Sequence, residues 1–559
     1  VIALAVAPVL GGCNAFDEPI VVGSVRHVPT DNRQALRAAA TPPPLSGGTL
    51  LVTKDEHFAL AADEARDRVS VVDLEQNTWL GDVVFDAGSQ PGRLVESADG
   101  LVHVVLRRAG KLASILPSER TVVRQVDVCA APRGVAYSEE RDELMVACLS
   151  GRLLTLSSSL DKLGSVQLDN DLRDVVIDKD DVWVSRFRSA EVLRLDSSGT
   201  VKERMLPPTV ARSRLTADRS TSFTARFEPG VAWRMISNPS GGVVVVHQRA
   251  TTEELDVSAS AESGATPYGG QGDLCSGIQR SSITTFAAGG QIRSGPDVPL
   301  TLPVDVAIDA RGIAAVIGAG QPDLGAPVSS FVSSGPSFRG GSFGFANAAA
   351  AVVSVQDPAE CTAGQAIPPD PDTENSEQYV VAVANDPRRS NYYVLQMREP
   401  AQLVIQGESR RVIALGGESV ADTGFDLFHR NAEAGLSCAS CHPDGSDDGH
   451  VWTFKGQGER RTQPLDVGLE GTAPFHWDGS LHAIADVMGE VFVKRMGGVY
   501  QSPERAAALT DWLFDLRPPS AEVPLDDSRV WRGRRLFDSL DVGCADCHRG
   551  EHFTDNNAY

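Results

Sequence analysis

Two stretches of this sequence carry soft ligands at a fixed spacing. Residues 435–445 read GLSCASCHPDG and residues 542–550 read VGCADCHRG. Each holds a C-x-x-C-H unit: Cys438, Cys441 and His442 in the first, Cys544, Cys547 and His548 in the second. Three chemistries use such a spacing. A structural zinc site takes two thiolates from each of two C-x-x-C pairs. A thioredoxin-type dithiol wants a strand before it and a helix after it. Covalent c-type haem wants a histidine directly after the second cysteine. The cysteines then form thioethers to the porphyrin edge, and the adjacent imidazole reaches the iron from one face. Both units have that histidine, and haem is the reading that uses it.

The elements around the units repeat as well. Gly424, Leu427 and Phe428 precede the first, and Gly533, Leu536 and Phe537 precede the second, both in the pattern G-x-x-L-F. A helix followed by a haem loop, twice in tandem, is the expected arrangement. Between the units, Ser502 and Pro503 read as a cap and first-turn pair. Leu509, Trp512, Leu513 and Leu516 form an i, i+3, i+4, i+7 stripe that Pro518 stops, which is core packing.

Upstream the texture is different. Across residues 48–417 a turn leads into an apolar-alternating strand, then a charged turn, then a second strand. PGRLVESADG at Pro91, PRGVAYSEER at Pro132, LRDVVIDKDD at Leu172, GVAWRMISNPSG at Gly230, PVDVAIDARG at Pro303 and VVAVANDPRR at Val380 are the clearest copies. The first spacings are roughly forty residues, the length of a four-stranded propeller blade. Later spacings stretch where the Gly- and Ser-rich segments 259–295 and 318–347 intervene. About seven blades fit. One small sheet cannot bury both faces alone; stacking sheets in a closed ring buries the faces and protects the edges. The rival arrangement is a pair of β-sandwiches. His57, His247 and Asp309 read as surface or turn residues, and no catalytic constellation stands in this half. The pattern resembles the YVTN/WD40-like group of bacterial propellers.

The formal net charge of −23 argues against nucleic acid or an anionic membrane surface as partner. The opening residues, VIALAVAPVLGGC, have the look of a signal h-region followed by a lipid-attachment box, Leu10-Gly11-Gly12-Cys13. With no basic region before it, the segment reads as a remnant clipped upstream. It implies a lipid anchor on Cys13 and a body in the periplasm or at the cell surface. In that oxidising setting Cys129, Cys148, Cys275 and Cys361 form an even set. Cys129 pairs with Cys148 across neighbouring strands, and Cys275 with Cys361 across two loops, in the preferred one of three possible pairings.

From Gly424 onward the chain resembles the bacterial di-haem cytochrome c peroxidase/MauG family. The residues that carry the likeness are LSCASCH, RTQPL at 461–465, FHWDGSL at 475–481, RMGG at 495–498, RGRRLF, CADCH and GEHFTDN. The resemblance implies two covalently bound c-type haems, a calcium ion between their domains, and a mainly α-helical cytochrome c-like fold. It implies Trp477 as the tryptophan between the haems and His450 as the distal ligand of the first, with His476, His482, Met488 and Met496 in reserve. It also implies a small redox protein as electron donor, and hydrogen peroxide or a protein as the substrate to be reduced or oxidised. Two family residues of the peroxide pocket, a Gln and a Glu, are replaced here by Val487 and Arg495. Glu490 lies nearby and is the substitute candidate for proton transfer.

The expected organisation is therefore a signal remnant at 1–13, a linker at 14–47, a propeller at 48–417, a first cytochrome c-like haem domain at 418–520, and the start of a second at 521–559. The expected function is electron transfer by a di-haem module, as a peroxidase or MauG-like oxidoreductase with the propeller as docking module. The alternatives are a non-enzymatic electron relay or redox sensor, and a surface binding protein with a vestigial haem region.

Overall fold

Residues 50–414 fold into seven consecutive antiparallel sheets in this computed structural model. The structure describes residues 28–216, 221–258, 267–269, 275, 277–320, 350–358, 360–362, 365–366, 380–385, 392–407, 409–520 and 527–557. The lipid-attachment expectation on Cys13 lies outside them. The sheets span 50–84, 91–127, 132–167, 172–205, 210–298, 303–366 and 380–414, and are blades 1 to 7 of a β-propeller. Blade 5 has five strands and the others have four.

Six of the seven blade interfaces are separate apolar clusters, and that of blades 6 and 7 is continuous with the core of the helical region. Blades 1 and 2 meet through Leu60, Val69, Val102 and Val104, while blades 3 and 4 meet through Ala147, Leu153, Val175 and Val184. The ring closes where Leu50, Ala59 and Val72 of blade 1 pack on Ala382, Val394 and Leu403 of blade 7. Closure leaves no blade face in water, which is why the inner strands read as near-continuous apolar runs.

The first strand of each blade, or in blade 5 the second (Ser222–Ser237), lies innermost, and six of these seven strands carry a register shift against their neighbour. Such bulges re-aim side chains. Here several charged ones converge near the axis. Arg93 lies 2.8 Å from Asp174, and Arg234 bridges Asp174 at 3.1 Å and Asp305 at 3.2 Å. These buried charges are paired, as low dielectric demands.

Four sequence expectations meet the structure here. Both disulfides have formed, Cys129–Cys148 and Cys275–Cys361. The segment 259–295, expected to intervene between blades, instead contributes strand Gln279–Ala287 and the start of Gln291–Val298 to blade 5. His247, expected at the surface, is fully buried in strand Val243–Thr251, where Nε2 meets the Thr284 hydroxyl at 2.9 Å. Burial pushes its pKa down to about 3, so the neutral ring is a packed polar spacer. Asp309 does sit in a turn, accepting the amides of Arg311 and Ile313.

Residues 28–47, expected as part of a linker, form a strap. Thr30–Asp31 pairs in parallel with Tyr500–Gln501. Trp512 Nε1 donates to the Pro42 carbonyl at 3.0 Å, and Arg173 donates to the Ser46 carbonyl at 2.8 Å. The strap thus runs from the C-terminal helices to the propeller axis.

The C-terminal region is small and helical. It comprises α1 (Thr423–His429), α2 (Cys438–Cys441), α3 (Ile484–Val487), a π-helix over Met488–Arg495, α4 (Pro503–Asp515), α5 (Ser528–Phe537) and α6 (Cys544–Cys547). Ser502 caps α4 through the Arg505 amide, with Pro503 in its first turn. The Leu509, Trp512, Leu513, Leu516 stripe is buried, and Trp512 faces Phe428 of α1 at 4.7 Å.

Candidate functional site

The first C-x-x-C-H unit begins with a local device. Ser437 caps α2, and the hydroxyl of Ser440 accepts the Ser437 amide at 3.0 Å. One short turn of helix then carries Cys438 and Cys441 to one wall of a cavity of about 510 Å³. Phe428, Trp452, Phe454, Phe475 and Phe492 make much of the remaining lining. Its size and apolar character suit a bulky organic cofactor.

Both thiols are free, as are those of Cys544 and Cys547. Burial pushes the Cys438 thiol up to about 12 and Cys441 well above its ordinary value. A redox dithiol needs an accessible thiolate, which this environment opposes. Among the described residues no group of three or more His, Cys, Asp or Glu side chains converges to hold a metal ion. Among these residues the two cysteine pairs therefore do not meet as one four-thiolate cluster.

His442 lines the same cavity, and its Nδ1–H donates to the Ser446 carbonyl at 3.1 Å. Burial lowers its pKa against backbone contacts with Ser446 and Gln463 that raise it, so the ring is neutral near pH 7. In that tautomer the lone pair is on Nε2, the state required of an iron ligand. The second unit repeats the device: His548 Nδ1–H donates to the Phe553 carbonyl at 3.1 Å. His548, His552 and Phe553 reach the same cavity from the opposite end of the sequence. Asn556 fastens this end through its amide to the Ala473 carbonyl at 2.6 Å.

Other expected residues divide sharply. Trp477 lines the cavity, stacks on Phe454 at 4.6 Å, and donates Nε1–H to the Arg461 carbonyl at 3.0 Å. His476, Met488 and Met496 line it as well. His450 does not: its Nε2 is engaged by the Thr251 carbonyl of blade 5 at 3.2 Å, and its ring packs on Trp452. The distal-ligand expectation for His450 is thereby corrected. His482 lies outside the lining as well. Glu490 points away, paired at 2.5 Å with Lys494 one turn on, and its side chain is 42% exposed. Its proton-transfer expectation is corrected too. Val487 lines the cavity, while Arg495 donates to the Tyr268 hydroxyl.

The loop after His442 holds residues that sequence reasoning passed over. Asp444 is buried against Arg173 at 2.7 Å and also pairs with Arg133. Asp447 meets Arg188 and Arg461, both at 3.1 Å. Asp448 accepts the Gln279 side-chain amide at 3.1 Å and the His450 backbone amide at 2.9 Å. Three aspartates within six residues of a C-x-x-C-H unit are visible in sequence. Their partners, drawn from blades 3, 4 and 5 and the 458–461 strand, are not.

The first unit is enclosed; the second is not. No residue of α5 or α6 is buried, and Trp531, Leu536, Leu540 and Phe553 are all exposed.

No protein-family model matches the chain, and no curated protein matches its sequence. Among solved structures, hydrazine synthase of Kuenenia stuttgartiensis aligns over 70% of this chain and 99% of its own, at 14% identity and a TM-score of 0.40. An inactive virginiamycin B lyase of Staphylococcus aureus with quinupristin aligns over 65% and 95%, at 11% identity and a TM-score of 0.39. Likenesses this distant carry no argument about site or activity. The chain is a seven-bladed β-propeller with a small helical region docked on it and one cavity lined by Cys438, Cys441 and His442 of the first C-x-x-C-H unit and by His548 of the second.

Proposed function

We propose that the helical region is a di-haem electron-transfer module. Cys438 and Cys441 would hold the first haem and Cys544 and Cys547 the second, with His442 and His548 as iron ligands. The carrying observation is that both histidines donate Nδ1–H to a backbone carbonyl and line one cavity beside the half-buried Cys438 and Cys441. The donor set fits the group: paired soft sulfurs, an imidazole after each pair, and apolar walls around the first unit. When bound, haem supplies one-electron chemistry at iron.

The chain's own residues then have separate tasks. The Ser446 carbonyl orients His442 and raises its basicity as a ligand. The aromatic walls exclude water and lower the local dielectric. Trp477 is fixed by its bond to Arg461 and lies in the cavity that both histidines share, a position suited to relaying an electron. His476, Met488, Met496 and His552 are lining side chains able to serve as a further ligand in place of His450.

For substrate chemistry we favour a peroxidase or MauG-like oxidoreductase with an altered pocket. Glu490 is turned outward, so a proton would have to come from another group. His476 lines the cavity with Nδ1 at 3.7 Å from Asp478 and is the candidate. The turned-out glutamate also favours a second reading, a pure electron relay or redox sensor. Export to the periplasm or cell surface, with a lipid on Cys13, is part of the proposal; the two disulfides support an oxidising compartment. A small redox protein would supply electrons.

The test is stopped-flow spectroscopy of the haem-loaded full chain mixed with hydrogen peroxide. Rapid formation of an oxidised species supports the peroxidase, and an inert low-spin spectrum supports the relay. Material without covalent haem would overturn both.

A further inference from the structure

The propeller does more than sit beside the helical region. The five residues after His442 are gripped on two sides. Arg133 and Arg173, from the innermost strands of blades 3 and 4, both reach the carboxylate of Asp444. Arg173 is itself fixed, lying over the Phe187 ring at 4.2 Å and donating to Ser46 of the strap. From the turn that follows the second strand of blade 4, Arg188 donates to Asp447 at 3.1 Å and to the Ser446 hydroxyl at 3.3 Å. Asp171 at 2.9 Å holds Arg188 from behind. Between the two grips lies the Ser446 carbonyl, the acceptor of the His442 Nδ1–H.

We propose that Arg133, Arg173 and Arg188 are positioning residues for His442: by clamping residues 444–447 they hold the Ser446 carbonyl in place, and the propeller thereby tunes the redox potential of the first haem. The inference rests on the di-haem reading above. The clamp is costly, because it buries Asp444 and Arg173 almost completely. A surface tether would need no such burial, and buried ion pairs contribute little net stability compared with apolar packing. What they do supply is a single geometry. The Nδ1 hydrogen bond of an iron-bound imidazole sets its basicity, so a fixed carbonyl fixes the potential. Asp444 adopts a left-handed backbone conformation, φ 55°, in which its carboxylate meets the clamp.

Geometry and simple charge predict opposite signs. Removing the Arg188 charge leaves Asp171 and Asp447 less compensated, and through-space electrostatics alone would lower the potential. Loosening the Ser446 carbonyl weakens the His442 donor and raises it. The experiment is a potentiometric titration of the haem-loaded full chain, wild type against Arg188→Gln, with the second haem as internal reference. The expected result is a rise in potential for the first haem alone, read as at least a tenfold fall in its oxidised-to-reduced ratio at fixed poise, about 59 mV for a one-electron couple. An unchanged or lowered potential overturns the inference. Arg133→Gln, read with the same signs, serves if Arg188→Gln does not fold. A wild-type protein that carries haem but shows no variant shift sinks only the clamp; absence of haem at Cys438 and Cys441 sinks the di-haem reading.

Discussion

Asp444 and Arg173 stand 271 residues apart in the chain, and their side chains meet at 2.7 Å where the first C-x-x-C-H loop enters the propeller axis. Neither charge is in water. Docking of the helical region on the ring is thus tied to an ion pair two positions after His442.

Burial alone would raise the Asp444 pKa, but the guanidinium groups of Arg173, Arg133 and Arg107 outweigh it and hold the carboxyl well below the usual carboxylate range. A depressed folded pKa contributes stability above the unfolded value and loses it as pH falls toward the folded one. Wild-type protein should lose this contribution progressively below about pH 4. Asp444→Asn should be destabilised by about 3–5 kcal/mol at pH 7, because two buried guanidinium groups lose their anion. Denaturant unfolding across pH checks both, and equal stability of the variant at pH 7 would count against the pairing.

Asp448 behaves in the opposite sense. Burial pushes its pKa up to about 7 in spite of hydrogen bonds from Thr462 and the His450 amide. The folded state therefore holds a proton that the unfolded chain has released, so stability declines as pH rises from about 4 to 7. Asp448→Asn keeps the shape without the charge. It should remove that decline and be more stable than wild type at pH 8, by on the order of a few kcal/mol. Thermal unfolding at pH 5 and pH 8 reads the difference; a parallel pH profile in the two proteins would refute the buried-carboxyl account.

The two G-x-x-L-F glycines should respond differently to the same change. A Cβ on Gly424 would stand 2.4 Å from Trp512 Cβ and 2.5 Å from the Ala508 carbonyl, where α1 crosses α4. Gly424→Ala should cost about 1–3 kcal/mol through overpacking. At Gly533 a Cβ meets nothing within 4 Å. Gly533→Ala should leave stability unchanged or raise helix propensity by up to about 1 kcal/mol. Similar losses at both positions would mean that α5 packs as α1 does.

Haem loading should be separable by unit. Replacing Cys438 and Cys441 by Ser in protein exported with the c-type attachment machinery should lower covalent haem from two per chain to one. Replacing Cys544 and Cys547 should do the same, leaving the other haem. Pyridine haemochrome absorbance against protein mass gives the ratio, and a ratio unaffected by either pair would refute thioether attachment there.

Much of the architecture was legible because its causes are local. Strand alternation, turn residues and near-even spacing revealed stacked sheets and their number, since a blade is a repeat whose signal lies within about forty residues. The Ser502–Pro503 cap and the Leu509–Leu516 stripe were legible for the same reason. Blade 5 was less so: its 16-residue strand Ser222–Ser237 and the later strands 279–298 break the regular spacing.

The site divides along the same line. Chemistry written in adjacent residues, such as Cys438, Cys441 and His442, or Cys544, Cys547 and His548, could be read from the chain, because the spacing itself is the signal. Which side chains face the cavity could not. His450 and Glu490 are well placed in sequence yet turn to Thr251 and Lys494, while His476, Met488 and Met496 turn inward. By itself the sequence determined a ring of sheets and two C-x-x-C-H units. Only the tertiary structure decided that His442 and His548 line one cavity and that the ring grips the first unit through Asp444 and Asp447, because orientation and long-range ion pairing arise from packing between segments hundreds of residues apart.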